Sequence, residues 1–225
     1  MEQGQVLPAG PDRGPILTAD DVRRRLAHSV AGYRSSDPAT LAAMRGDHSL
    51  VPGGAPPPAP LTPASVLVPL VMRPDGLTVL LTQRTQHLAA HGGQISFPGG
   101  KQEASDSDAV DAALRETEEE VGLTRDHVEV IGRLDTYITS TGFRVTPVVG
   151  LVRAPYPQKP DPVEVAEMFE VPLTFILDPA NHHQHSREVK GRHRVFYVLP
   201  YQQRYIWGAT AGMLVNLAQV LTTER

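Results

Sequence analysis

Residues 97–123 read FPGGKQEASDSDAVDAALRETEEEVGL: a glycine pair, an acidic and alanine-rich run, three consecutive glutamates and a final glycine. At about 100° per residue, 108–121 forms a helix with Val110, Ala113, Leu114, Thr117 and Val121 on one side. Glu116, Glu119 and Glu120 gather on another side. Glu116 lies three residues before Glu119 and four before Glu120, so their side chains are neighbours. Like charges at those spacings weaken an isolated helix. The acids also run to the helix C-terminus, where the macrodipole opposes them, and Gly122 supplies a cap that ends the helix. Arg115 stands beside Glu118 and Glu119, placed to hold a carboxylate. A solvated acidic face is the plain alternative. The glycine turn ahead of the helix argues for more, because it lets backbone and ligand approach closely. Converging carboxylates are the usual ligands of Mg²⁺ or Mn²⁺, and Mg²⁺ sites commonly add substrate phosphates. We therefore expect this side of the helix to hold a divalent metal.

The rest of the chain narrows the class. It has 225 residues, 40% apolar and 20% charged, enough for one domain with a sizeable core plus an extra segment. The net charge of −4 disfavours tracking a nucleic-acid backbone, which calls for a basic stripe. With no cysteine, disulfides, thiolate nucleophiles and cysteine zinc sites are excluded. No apolar run approaches the roughly 20 residues of a membrane span, and the N-terminus lacks the apolar core of a signal peptide. A cytoplasmic protein is the default expectation.

Along the chain, the first 16 or so residues are rich in Gly, Pro and polar residues and are expected to be mobile. TADDVRRRLAHSVAGY (18–33) predicts a short helix capped by Thr18 with Asp21 three residues on. Val22, Leu26 and Val30 form its docking face, and the RRR at 23–25 an exposed one. VPGGAPPPAPLTPA (51–64) reads as a linker. This gives an N-terminal extension over 1–60 and a main domain over 61–225. SVLVPLVM (65–72) and LTVLLTQ (77–83) are β-type runs around Pro74-Asp75-Gly76, a hairpin signal. VEVIGRLDTYI, FRVTPVVGLV, AEMFEVPL and HRVFYVLPY add strands, and GATAGMLVNLAQVLTTER a last helix. Strands surrounding both helices predict an α/β fold, a mixed sheet covered on its faces. NHHQHS (181–186) reads as a polar loop rather than a metal site, and Trp207 as an interior anchor before the last helix.

The residues around the acidic helix resemble the box of the Nudix hydrolases. RETEEEVGL matches its second half at Arg115, Glu116, Glu119, Glu120, Gly122 and Leu123, with Thr117 where an apolar residue is usual. The first half is looser: one extra residue separates Gly100 from Arg115, and Asp106 or Asp108 stands in for the first glutamate. Upstream, LLTQRTQHLAAHGGQISFPGG resembles the segment that marks the coenzyme A pyrophosphatase branch, at Leu80, Leu81, Thr82, Arg84, Gly93 and 97–100. Thr85 replaces a Ser or Ala there, and Ala89 replaces an Arg. Further similarity in STGFRVTPVVG, VPLTFILDPANH and IWGATAGMLVNL extends the resemblance over roughly 61–221.

The resemblance implies the Nudix α/β/α sandwich, with the box as a loop–helix–loop. It implies a pyrophosphohydrolase using Mg²⁺ or Mn²⁺, held by Glu116, Glu119 and Glu120, with a CoA-like nucleotide as substrate and no nucleic-acid or membrane partner. Arg115, Glu116 and Glu164 are the candidate catalytic residues: Arg115 orients the ligating glutamates, and Glu164 serves as general base or extra ligand. Arg84 and the Gly99 and Gly100 amides are the candidate substrate contacts, with a surface charge the alternative for Arg84. For coenzyme A or its acyl derivatives the products would be 3′,5′-ADP and (acyl-)4′-phosphopantetheine. ADP-ribose or a dinucleotide is the alternative substrate, and a Nudix-fold binding module without turnover the alternative class. A homodimer is left open.

Overall fold

A computed structural model describes residues 16–27, 44–87, 92–189 and 192–223. The expectations for the N-terminal start, for the end of the first helix including Val30, and for Ala89 fall outside the described residues.

The scaffold grows from the hairpin. Strand β2 (Thr62–Arg73) and strand β3 (Gly76–Arg84) pair antiparallel from Arg73↔Gly76 to Leu70↔Val79, joined by the two-residue turn Pro74-Asp75. Gly76 takes φ 126°, which a side chain would resist. On the other side, β2 runs parallel to β8 (Phe143–Arg153) over nearly its whole length. The remaining strands of this sheet are β1 (Arg45–Gly46), β4 (Ile95–Ser96), β5 (Gly99–Lys101), β6 (Val128–Arg133), β7 (Tyr137–Ile138) and β9 (Val165–Pro172). The order along the main path is β1-β7-β8-β2-β3-β4, with β5 on β2, β6 on β8 and β9 on β3. Parallel pairing of β2 with β8 and of β1 with β7, and antiparallel pairing elsewhere, make this the mixed sheet the sequence predicts.

Alternation along the central strands divides the core. Leu67, Val71, Leu80, Val148 and Val152 face helix α2 (Ala109–Val121), packing with Ala113 and Val121. Val68, Leu70, Val79, Leu81, Val149 and Leu151 face the opposite way. There they meet α1 (Ala19–Leu26), α3 (Leu173–Leu177) and α4 (Ala209–Thr222). The result is the expected α/β/α sandwich. Truncating a fully buried side chain such as Leu67 to Ala would cost about 2–5 kcal/mol. Helix α1 carries the predicted capping box between Thr18 and Asp21 and buries Val22 and Leu26 in the main core. The segment before residue 61 therefore contributes to packing.

Three local expectations need correction. The linker ends early, because residues 62–64 already belong to β2, where Ala64 pairs with Lys101. The histidine tract is not a loop: β10 (His183–Val189) pairs antiparallel with β11 (Arg192–Tyr201), which pairs with β12 (Arg204–Trp207) in a second, three-stranded sheet. Its polarity is that of an exposed edge strand, which the hairpin partner stabilises through main-chain bonds. Trp207 is not an interior anchor. It is half-buried, sits edge-on to Phe196 with the ring centres 5.4 Å apart, and lines a cavity.

Candidate active site

Helix α2 starts and stops where its sequence requires. Asp108 is the N-cap, accepting from the Val110 and Asp111 amides, and Gly122 ends the helix at φ 71°. The residues after it fold back over the C-terminus: the Lys159 amide donates to the Val121 carbonyl and the Asp161 amide to the Glu120 carbonyl. Backbone groups that the helix would leave unpaired are thereby satisfied. The same loop turns on Asp161, whose carbonyl accepts from the Glu164 and Val165 amides. The Thr85 amide donates to the Glu164 carbonyl, and the Thr85 hydroxyl to the Val163 carbonyl at 2.6 Å. These bonds fix Glu164 beside the end of β3, facing the acidic helix.

Glu116, Glu120, Glu164, Arg84, Gly99 and Gly100 come together at this point. The side chain of Glu120 is 7% exposed, and one of its oxygens accepts from the Gly99 amide at 3.1 Å. Arg84 bridges Glu120 and Glu164, at 3.4 Å to each. A side chain at position 99 would run into the backbone of Ser65. A Cβ on Gly100 would lie 2.5 Å from a Glu116 carboxylate oxygen. The glycine pair thus gives the carboxylates room to pack against β5. The Gly99 amide, expected to contact substrate, is engaged with Glu120 instead.

Burial raises the Glu120 carboxyl to about 7, and the charges of Glu164 and Glu116 reinforce the shift against the Gly99 hydrogen bond and Arg84. Glu116 is also raised, first by burial and then by Glu119 and Glu164, with Arg115 opposing. Glu119 differs: it is exposed, and its carboxylate meets Arg115 at 3.1 Å. Among the described residues no three His, Asp or Glu side chains form a ready-made metal cage. The donor chemistry nevertheless suits a hard divalent cation, which would relieve the mutual repulsion of converging carboxylates.

Arg115 is the organiser of the opposite flank. It grips Asp106 with Nε at 2.8 Å and Nη2 at 3.0 Å, and reaches Glu116 at 3.0 Å with Nη1. Its guanidinium thereby ties the loop before the helix to Glu116. The geometry also separates the two aspartates that the box spacing left open: Asp106 faces Arg115, while Asp108 caps the helix.

A cavity of about 590 Å³ opens beside the glycine pair and Arg84, with Phe143, Phe196 and Trp207 among its walls. Its far wall comes from β10–β12, a contribution the sequence reading missed. The only available signal was the alternation of Arg194, Phe196 and Val198 along β11, visible once that strand's partner is known.

A mixed sheet between helical layers, with a glycine loop and a glutamate-bearing helix at one edge, defines the Nudix α/β/α fold. The chain belongs to the Nudix hydrolase family: the family model described as NUDIX domain matches residues 61–194. A relative from Yersinia pestis (strain Pestoides F), named Uncharacterized Nudix hydrolase NudL, is 42% identical over 156 residues, covering 69% of this chain and 78% of the relative. The same values hold for a NudL from Yersinia pseudotuberculosis serotype O:1b. Among solved structures, a C. elegans Ap4A hydrolase binary complex aligns with a TM-score of 0.43 and 21% identity, covering 49% of this chain and 80% of the other. The NUDIX domain of Shewanella oneidensis NrtR, complexed with ADP ribose, aligns at 0.41 and 19%, covering 53% and 77%. Nudix hydrolases generally use divalent metal ions. No described helix is long and apolar enough to cross a membrane.

Proposed function

We propose that this Nudix hydrolase cleaves the diphosphate of coenzyme A or its acyl derivatives. Water adds across the P–O–P bridge, giving 3′,5′-ADP and (acyl-)4′-phosphopantetheine. The observation that carries the reaction is the convergence of Glu116, Glu120 and Glu164 with Arg84, which also lines the cavity. The choice of substrate rests on the resemblance of LLTQR and GGQISFPGG to the coenzyme A pyrophosphatase segment.

Glu116, Glu119 and Glu120 would hold Mg²⁺ or Mn²⁺, with Glu119 leaving Arg115 to do so. The bound ion supplies neutralisation of the diphosphate charge and activation of the attacking water. The chain's own residues do the rest. The Gly99 amide and Arg115 hold Glu120 and Glu116 in place before substrate arrives, so little reorganisation is needed. Glu164, more exposed than Glu116 and Glu120, accepts the proton of the attacking water. Arg84 exchanges its long contacts with Glu120 and Glu164 for phosphate oxygens, where its planar fork binds better.

A substrate panel with Mg²⁺ and Mn²⁺, products identified by mass, tests this reading. Coenzyme A should yield the two products above. Turnover of ADP-ribose with a kcat/KM about ten times that of coenzyme A, a difference worth about 1.4 kcal/mol in transition-state stabilisation, would overturn the substrate assignment.

A further inference from the structure

The second sheet places two arginines directly opposite each other: Arg187 on β10 pairs with Arg194 on β11. Like charges in that position oppose sheet formation. Neither side chain takes part in a hydrogen bond or ion pair with a carboxylate among the described residues. Arg187 lies 6.0 Å from the centre of the Trp207 ring, a cation–π contact that leaves its outer N–H groups available. Arg194 influences the charge of Asp47, which lines the same cavity, but Asp47 is committed to the Tyr137 hydroxyl at 2.6 Å. Both arginines line the cavity that also reaches Arg84 and the glycine pair.

Exposed arginines are usually solvated, and one alone would carry nothing. Two cations in register, on the wall of the cavity that reaches Arg84 and the glycine pair, and with only the already-bonded Asp47 acting on one of them, form a different arrangement. Phe196 and Trp207, edge-on to each other, line the same cavity. Such aromatic faces accept a nucleobase by stacking.

We propose that Arg187 and Arg194 bind a phosphomonoester of the substrate, separate from the diphosphate that is cut, with the nucleobase against Phe196 and Trp207. The proposal rests on the nucleotide-hydrolase reading of the carboxylate site and deepens it. Arg84 and the metal site answer to the diphosphate; two further guanidinium groups call for a second, doubly charged phosphate, which their forked donors match. Coenzyme A carries such a group on its ribose, and ADP-ribose does not.

Binding to the full chain separates this idea from the hydrolytic reading. Calorimetry would compare adenosine 3′,5′-bisphosphate with 5′-AMP at matched ionic strength, for the native protein and for Arg187→Gln/Arg194→Gln. The native protein should prefer the bisphosphate by about tenfold or more, the scale of a charge-assisted phosphate contact. The double variant should lose that preference while its affinity for 5′-AMP stays unchanged. Equal affinities in the native protein, or a preference that survives in the variant, would overturn the proposal. A bisphosphate preference lost in the variant supports it even if the panel shows no cleavage of coenzyme A, an outcome that would refute the substrate assignment alone.

Discussion

Replacing Glu120 by Gln should make the metal-free protein more stable and the enzyme nearly inactive. Its carboxyl, almost fully buried, is pushed up to about 7 by burial and by neighbouring acids. In the unfolded chain it would return to about 4.5. The folded state therefore binds more protons than the unfolded state between these values, so this group's contribution falls as pH rises through that window. By pH 8 the accumulated penalty is on the order of 3 kcal/mol, since each tenfold change in proton affinity is worth about 1.4 kcal/mol. Gln keeps the shape and can still accept the Gly99 hydrogen bond while removing the charge. For a chain of this size the gain corresponds to a rise in Tm of about 6–12 °C at pH 8, shrinking towards zero near pH 5.

Thermal unfolding of both proteins after chelation, from pH 5 to 8, measures this difference directly. Adding Mg²⁺ should then stabilise the native protein far more than the variant, because binding to the folded state alone adds stability by mass action. In the loaded enzyme, kcat should fall by a factor of about 10² or more, the scale of losing one preorganised electrostatic group. Glu118→Gln is the control. Glu118 is exposed on the same helix, and its loss should be nearly silent. The reasoning fails if Glu120→Gln destabilises the metal-free protein at pH 8, or if the two proteins show the same pH profile.

Three further changes probe the surroundings. Gly100→Ala should displace the Glu116 carboxylate, which a Cβ would meet at 2.5 Å, and steady-state kinetics should show kcat reduced by about 10²-fold in a folded protein. Asp106→Asn weakens the grip on Arg115 without touching substrate; a loss of about 10–100-fold in metal affinity, measured by titration, is expected for a supporting residue of this kind. Far from the cavity mouth, Glu170 accepts from Arg73, Thr78 and Tyr156, which outweigh its burial and hold its carboxyl below 4.5. Its stabilising contribution is complete above pH 4.5 and lost as pH falls through the lower folded value. Glu170→Gln should therefore reduce stability at pH 7 by about 1–3 kcal/mol in denaturant unfolding while leaving kcat unchanged.

Much of this was legible because it is local. The helix, expected over 108–121 and found over 109–121, announces itself by its apolar period and a glycine stop; its Asp108 cap was not read from the sequence. The hairpin at Pro74-Asp75 is equally local. Arg115 was readable as a carboxylate holder, but its strongest partner, Asp106, lies nine residues away across a turn whose shape the sequence does not specify. The helical wheel grouped Glu120 with Glu116 and Glu119 but could not show that it is buried. Its burial comes from β5 and from the 159–164 loop, which are brought there by long-range pairing. The histidine tract misled for a related reason: an exposed edge strand needs no apolar alternation when its partner supplies the hydrogen bonds.

The two ends of the cavity rest on different foundations, and this bears on how specificity can change. The carboxylates and Arg84 are held by the large sheet, by α2 and by a loop tied to both, so disturbing them disturbs the core. Arg187, Arg194 and Phe196 stand on the three-stranded sheet, which joins that core through Leu199 and Ile206. Arg187 and Arg194 are themselves exposed, so replacing them costs little packing. With the load divided in this way, replacing the two arginines alters which nucleotide is preferred, while the groups around the cleaved diphosphate keep their geometry.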